Sequence, residues 1–135
     1  MTYLQGFTDY LDEKGVKYQT DGDTKVRVGY KMDNMGSVDV NVIFDEDGKG
    51  KVHFVVWSIG KFPDSKLMAG MAVCNALNAK YRWIKFYIDS DNEGCADLDA
   101  IVDEETVGPE CFELMIRILT IVDEAYPEIM RALYA

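Results

Sequence analysis

At 135 residues the chain is long enough for one domain, residues 1–135, to bury its own core without disulfide or metal staples. Acids outnumber bases by 24 to 14, a net charge of −10, which argues against nucleic acid and anionic membrane partners, both of which select clustered Lys and Arg. No apolar run approaches the ~20 residues that span a bilayer, and the N-terminus lacks the basic start and apolar stretch of a signal peptide, so a cytoplasmic protein is expected.

The first expected element is a helix from about Thr2 to Lys14. Tyr3, Phe7, Tyr10 and Leu11 form its stripe, Thr2 and Gln5 a capping box, and Gly15 its C-terminal cap. The period then changes to two. Val16, Tyr18 and Thr20 run into the turn Asp21-Gly22-Asp23, and Val26, Val28 and Tyr30 alternate with Lys25, Arg27 and Gly29 beyond it. Val38, Val40, Val42 and Phe44 alternate with Asp39 and Asn41, and Asp45-Glu46-Asp47-Gly48 turns the chain into KVHFVVWSI. These four segments predict an antiparallel meander.

After Phe62-Pro63 a second helix is expected, with Ser65 as N-cap and Leu67, Met71, Cys74 and Tyr81 along one side. WIKFYI and ADLDAIV both alternate, so DSDNEGCADLDA, residues 89–100, joins two strands. Pro109 opens the last helix, which is expected to reach Tyr126, with Pro127 kinking it or starting a new turn. The order α-β-β-β-β-α-β-β-α predicts an α+β domain, an antiparallel sheet with helices packed on it.

Catalytic and metal chemistry find little support. DSDNEGCADLDA imitates an EF-hand loop, but Ala100 stands where calcium needs a bidentate glutamate, and strands rather than helices flank it. Asp97 and Asp99, two apart on one strand face, read as a solvated sheet face rather than an acid–base pair. His53, the sole histidine, shares its face with Val55, Trp57 and Ile59 and reads as a structural or surface residue rather than a general base. Cys74, Cys95 and Cys111 form no CxxC pair, and buried reduced thiols are the expectation. No Walker, GxGxxG, GxSxG or HExxH motif occurs, so neither a cofactor nor a metal is expected.

The last helix is apolar over an arc of about 220°, more than the roughly 100° needed to lie on one sheet. Something must cover the surplus: another helix of the chain, or a subunit interface. Phe112, Ile116 and Leu119 make one flank of the arc, and Leu114, Ile118 and Ile121 the other. Met32, Met35, Met68 and Met71 either fill gaps in the core, the commoner role of methionine, or form a second adaptable surface. The candidate interface is therefore Trp57, Met68, Met71, Phe112, Met115, Ile116, Ile118 and Leu119.

GVKYQTDGD with KVRVGY, the FDEDGKGKV turn, LNAKYRWIKFYIDSDNEG and PECFELMIRILTIVDEAYPEI together resemble the bacterial YbjN-type proteins over nearly the whole chain. Leu77-Asn78 followed by Trp83 to Asp89, and then Asp123-Glu124-Ala125-Tyr126-Pro127, carry the resemblance most specifically. It implies a fold like that of the type III secretion chaperones, small acidic proteins that usually dimerise and hold an extended segment of a partner. It also implies a non-enzymatic regulatory or chaperone-like module, and it supplies no catalytic residues. The expected partners are thus a second copy of the chain and another protein or peptide. The alternative is a small-ligand protein or enzyme with a pocket between sheet and helices, using Cys95 or His53.

Overall fold

The period-two segments build one six-stranded antiparallel sheet in the structure, a computed structural model that describes residues 1–135. In chain order the elements are α1 (Tyr3–Lys14), β1 (Gln19–Asp21), β2 (Lys25–Met32), β3 (Gly36–Phe44), β4 (Lys51–Val56), α2 (Leu67–Lys80), β5 (Lys85–Ile88), β6 (Gly94–Ile101) and α3 (Val107–Tyr134). Across the sheet the strands run β1-β2-β3-β4-β6-β5, every neighbouring pair antiparallel. The expected α+β order is the observed one.

Alternation decides which face holds the core. Val26 and Val28 of β2, Val38, Val40, Val42 and Phe44 of β3, Val52, Phe54 and Val56 of β4, and Ala96 and Leu98 of β6 share one buried face. Phe7 and Leu11 of α1, Leu77 of α2, and Cys111, Met115, Ile118, Leu119 and Val122 of α3 pack onto it. These side chains fill the layer between sheet and helices, where the sequence left room for a pocket.

α1 forms as expected. Gln5 N–H donates to the Thr2 hydroxyl at 3.1 Å, Thr2 N–H donates to Gln5 Oε1 at 2.8 Å, and Gly15 closes the helix in the left-handed region. α2 departs from expectation twice. Ser65 lies inside a 3₁₀ turn, Asp64–Lys66, and no side chain caps the helix. Its buried side is Gly70, Val73 and Leu77, while Met71 faces outward. Gly70 sets that orientation, because a Cβ there would stand 2.5 Å from Ile88 Cδ1 and 2.9 Å from the Phe62 ring.

α3 runs through Pro127 to Tyr134 rather than ending at Tyr126. Proline denies the Asp123 carbonyl its helical donor four residues on. The Asn34 side chain, from the β2–β3 turn, donates to that carbonyl instead at 3.0 Å. The Asp123 carboxylate in turn accepts the backbone N–H groups of Asn34 and Met35 at 3.0 and 2.8 Å. One residue thereby ties helix to hairpin, and the helix continues without an orphaned acceptor.

The hairpin linking β5 to β6 explains the acidic run. Asp89 Oδ1 accepts the N–H groups of Asp91 and Glu93 at 2.9 and 3.0 Å, and Asn92 takes the left-handed conformation that the turn requires. Asp89 Oδ2 lies 3.6 Å from the Cys95 thiol. The Asp89 carboxylate is engaged with its own turn. β5, an edge strand, is closed by α2: Asn78 accepts the Phe86 N–H at 2.7 Å and donates to its carbonyl at 3.1 Å.

Candidate interaction surfaces

Two exposed surfaces combine anchoring side chains with incomplete cover. The first lies on the helix side. α3 crosses the middle of the layer with α1 and α2 on either flank, so the two neighbours and the sheet cover most of its apolar arc. Met115, Ile118 and Leu119 are fully buried inside the chain. They leave the candidate interface: an outward role would need them on the solvent side, and the sheet and flanking helices hold them.

Phe112 and Ile116 pack against the core but stay partly exposed. With Tyr10 of α1 and Ile121 they line a groove of about 610 Å³ whose rim carries Glu113 and Arg117. Tyr10 and Phe112 meet tilted, ring centres 5.6 Å apart. Arg117 reaches from this rim over the Trp83 ring, 4.7 Å from its centre. Trp83, in the loop between α2 and β5, is 55% exposed and holds a backbone φ of 83°. A bulky aromatic in the left-handed region costs of order 1–3 kcal/mol, a strain that clusters at functional sites. Aromatic, isoleucine and arginine side chains thus form one strip, and Trp and Arg are side chains on which interface energy concentrates.

Tyr10, Trp83, Arg117 and Ile121 were absent from the sequence-derived set. The hint was Ile121, on one flank of the apolar arc; the period of WIKFYI puts Trp83 on the face of Lys85 and Tyr87, whereas at a φ of 83° it meets Arg117 of α3. The remaining predicted residues do not join the strip. Met68 and Met71 are exposed on α2, and Trp57 sits on the far side of the sheet with Lys25 Nζ over its ring at 5.1 Å.

That far side is the second surface. It carries no helix, and its rows follow from strand register. Arg27, Asn41, Val55, Asp97 and Lys85 stand side by side across β2, β3, β4, β6 and β5, with Lys25, Ile43, His53 and Asp99 beside them. The centre of the first row is closed to solvent: Asn41, Val55 and Asp97 are 5, 0 and 7% exposed. Asp97 is therefore not the solvated carboxylate its alternation suggested. Asp99, next along the strand, is exposed.

His53 Nε2 lies 3.0 Å from Asp97 Oδ2, a diagonal cross-strand pair. Asp97 Oδ1 is buried with no hydrogen-bond partner, and the nearest cation, Lys85 Nζ, stands 3.7 Å away. Burial first, and then the Asp97 carboxylate, push the neighbouring Tyr87 hydroxyl up to about 12. Cys95 shares this face, and burial lifts its thiol to about 11. It is thus a neutral thiol near neutral pH rather than a nucleophile for His53 to activate.

A sequence profile described as "YbjN: Putative bacterial sensory transduction regulator" matches residues 4–131. Comparison with curated protein sequences returned no match. Among solved structures, YbjN from E. coli superposes with a TM-score of 0.64 at 16% identity, covering 93% of this chain and 92% of that one. The heterodimeric ExoU–SpcU complex of the Pseudomonas aeruginosa type III secretion system gives a TM-score of 0.61 at 14% identity, over 93% and 96% of the two chains. At these identities the likeness concerns the fold. No helix here is long and apolar enough to cross a membrane.

Proposed function

This chain belongs to the YbjN family, and we propose that it acts as a non-enzymatic protein-binding module that pairs with a second copy of itself. The pairing uses the helix side and leaves the sheet face for a partner polypeptide. The strip formed by Tyr10, Phe112, Ile116, Ile121 and the strained Trp83 carries this reading. An arginine–aromatic stack beside partly exposed isoleucines is what a desolvated contact requires, and solvent alone gives it no purpose. Glu113 and Arg117, paired at 3.5 Å along α3, place opposite charges on one rim. A two-fold copy would set each beside its complement, the self-complementarity that an isologous interface demands.

The similarity to a chain of a heterodimeric secretion complex supports the wider reading that this fold serves protein partners. The raised thiols and the filled layer between sheet and helices favour binding over catalysis. Light scattering across protein concentration tests the pairing. The native chain should run as a dimer, and Ile116→Asp should weaken association by about tenfold or more. Because Ile116 also packs in part against the core, the substitution should cost of order 1–2 kcal/mol in the monomer, so association is compared at a temperature where both chains remain folded. A native chain that stays monomeric to high concentration defeats the proposal.

A further inference from the structure

We infer that the helix-free sheet face docks an extended partner segment through an arginine that pairs with Asp97. The inference rests on the reading of the chain as a protein-binding module but concerns the opposite face, so it stands or falls separately from pairing on the helix side.

Chemistry selects the ligand class. Asp97 is a carboxylate whose side chain is 9% exposed, and only one of its two oxygens has a hydrogen-bond partner. Buried polar atoms without partners are few in folded proteins, and each calls for a group that completes it. Oδ1 therefore lacks a donor, and a positively charged donor suits a carboxylate best. Lys85 stands too far away at 3.7 Å to hydrogen-bond, and its side chain is 63% exposed, so it covers Oδ1 as a loose lid that an incoming cation displaces. Guanidinium suits the place better than ammonium. It is planar, less strongly hydrated, and forked to meet both the open oxygen and its neighbour. Trp57 and Tyr87 each hold one of the chain's own ammonium groups, Lys25 and Lys85, near the ring, so an incoming arginine competes with these lysines for the same rims.

A polypeptide fits better than a free cation. Asn41, nine-tenths buried, opens onto a shallow depression lined also by Arg27, Asp39, Trp57 and Ser58. It lies two strands from Asp97 in the same row, about 10 Å at the usual strand spacing. A segment extended across the strands covers that distance in about three residues, with the Asn41 amide available to its backbone.

The test is a nuclear magnetic resonance titration of the intact chain with an acetylated, amidated Val-Thr-Arg-Thr-Val peptide. Controls are the same peptide with citrulline for arginine, and N-acetyl-arginine amide alone. Shifts should appear at Val55, Asp97 and Lys85 and spare Phe112 and Ile116. The citrulline peptide and arginine amide should each bind at least about fivefold more weakly. Asp97→Asn should weaken the arginine peptide about tenfold, and Lys85→Ala, an exposed change that removes the competing ammonium, should tighten it severalfold. If Asp97→Asn fails to fold, the Lys85→Ala result decides. Equal binding of the citrulline peptide, arginine amide as tight as the peptide, shifts on the helix side, or an unchanged affinity in Lys85→Ala would overturn the inference.

Discussion

Replacing Asn34 by alanine removes the side-chain donor that reaches the Asp123 carbonyl at 3.0 Å. In a regular helix that carbonyl would take the N–H of residue 127, but proline has none. The carboxylate of Asp123 keeps its own two bonds, to the backbone N–H groups of Asn34 and Met35, so the substitution isolates one interaction. A hydrogen bond of this kind nets about 1 kcal/mol, and an acceptor left unpaired in a buried place costs about 1–3 kcal/mol. Asn34 is itself exposed, which favours the lower end, about 1–1.5 kcal/mol. Pro127→Ala restores the missing N–H and gives the carbonyl a second donor. Asn34→Ala made in that background should therefore cost about 1 kcal/mol less than in the native chain. Urea unfolding of the four proteins measures the coupling. If the two substitutions add to within about 0.3 kcal/mol, Asn34 is not what carries the helix past its proline.

Other expectations follow from the same structure. Gly50 holds a φ of 79°, and a Cβ there would press directly on the Val102 carbonyl, so Gly50→Ala should cost about 2–4 kcal/mol, read as a fall in the urea midpoint. Burial pushes the Cys95 and Cys111 thiols up to about 11 and about 12, above their unfolded values near 8.5. The unfolded chain therefore loses these protons first. Their contribution to stability is intact below pH 8 and declines as pH rises towards the folded values, which unfolding curves from pH 7 to 11 will show as falling stability. For the same reason a disulfide reagent at pH 8 should label Cys95 and Cys111 at least about a hundredfold more slowly in the folded than in the unfolded chain, by mass spectrometry.

The hairpins were legible because strand alternation and turn chemistry are local. Val26 to Tyr30 and Val38 to Phe44 display their buried face in every second residue, and Thr2 and Gln5 lie within one turn of each other. What escaped was non-local or invisible to hydrophobicity. α2 is apolar around much of its circumference, so its buried side is chosen by Gly70, a residue with no side chain to advertise it. The continuation of α3 depends on Asn34, 89 positions away from Asp123.

The candidate surface divided along the same line. An apolar arc of about 220° contains both core and surface, and sequence spacing alone could not separate Met115, Ile118 and Leu119, which the sheet buries, from Phe112 and Ile116, which it does not. Trp83 joins the strip through an unusual φ, and Asp97 is shielded within a cross-strand row. Both belong to assembled geometry rather than to period.

The proposed pairing of two copies through the helix side can be followed at the strip itself. Trp57→Phe leaves Trp83 as the sole tryptophan, because the chain holds two. Its fluorescence should shift to the blue as protein concentration rises through the dimer range, and Ile116→Asp should hold it at the red, solvent-exposed position throughout. A wavelength that stays constant while light scattering reports a dimer would place the interface elsewhere and contradict this account.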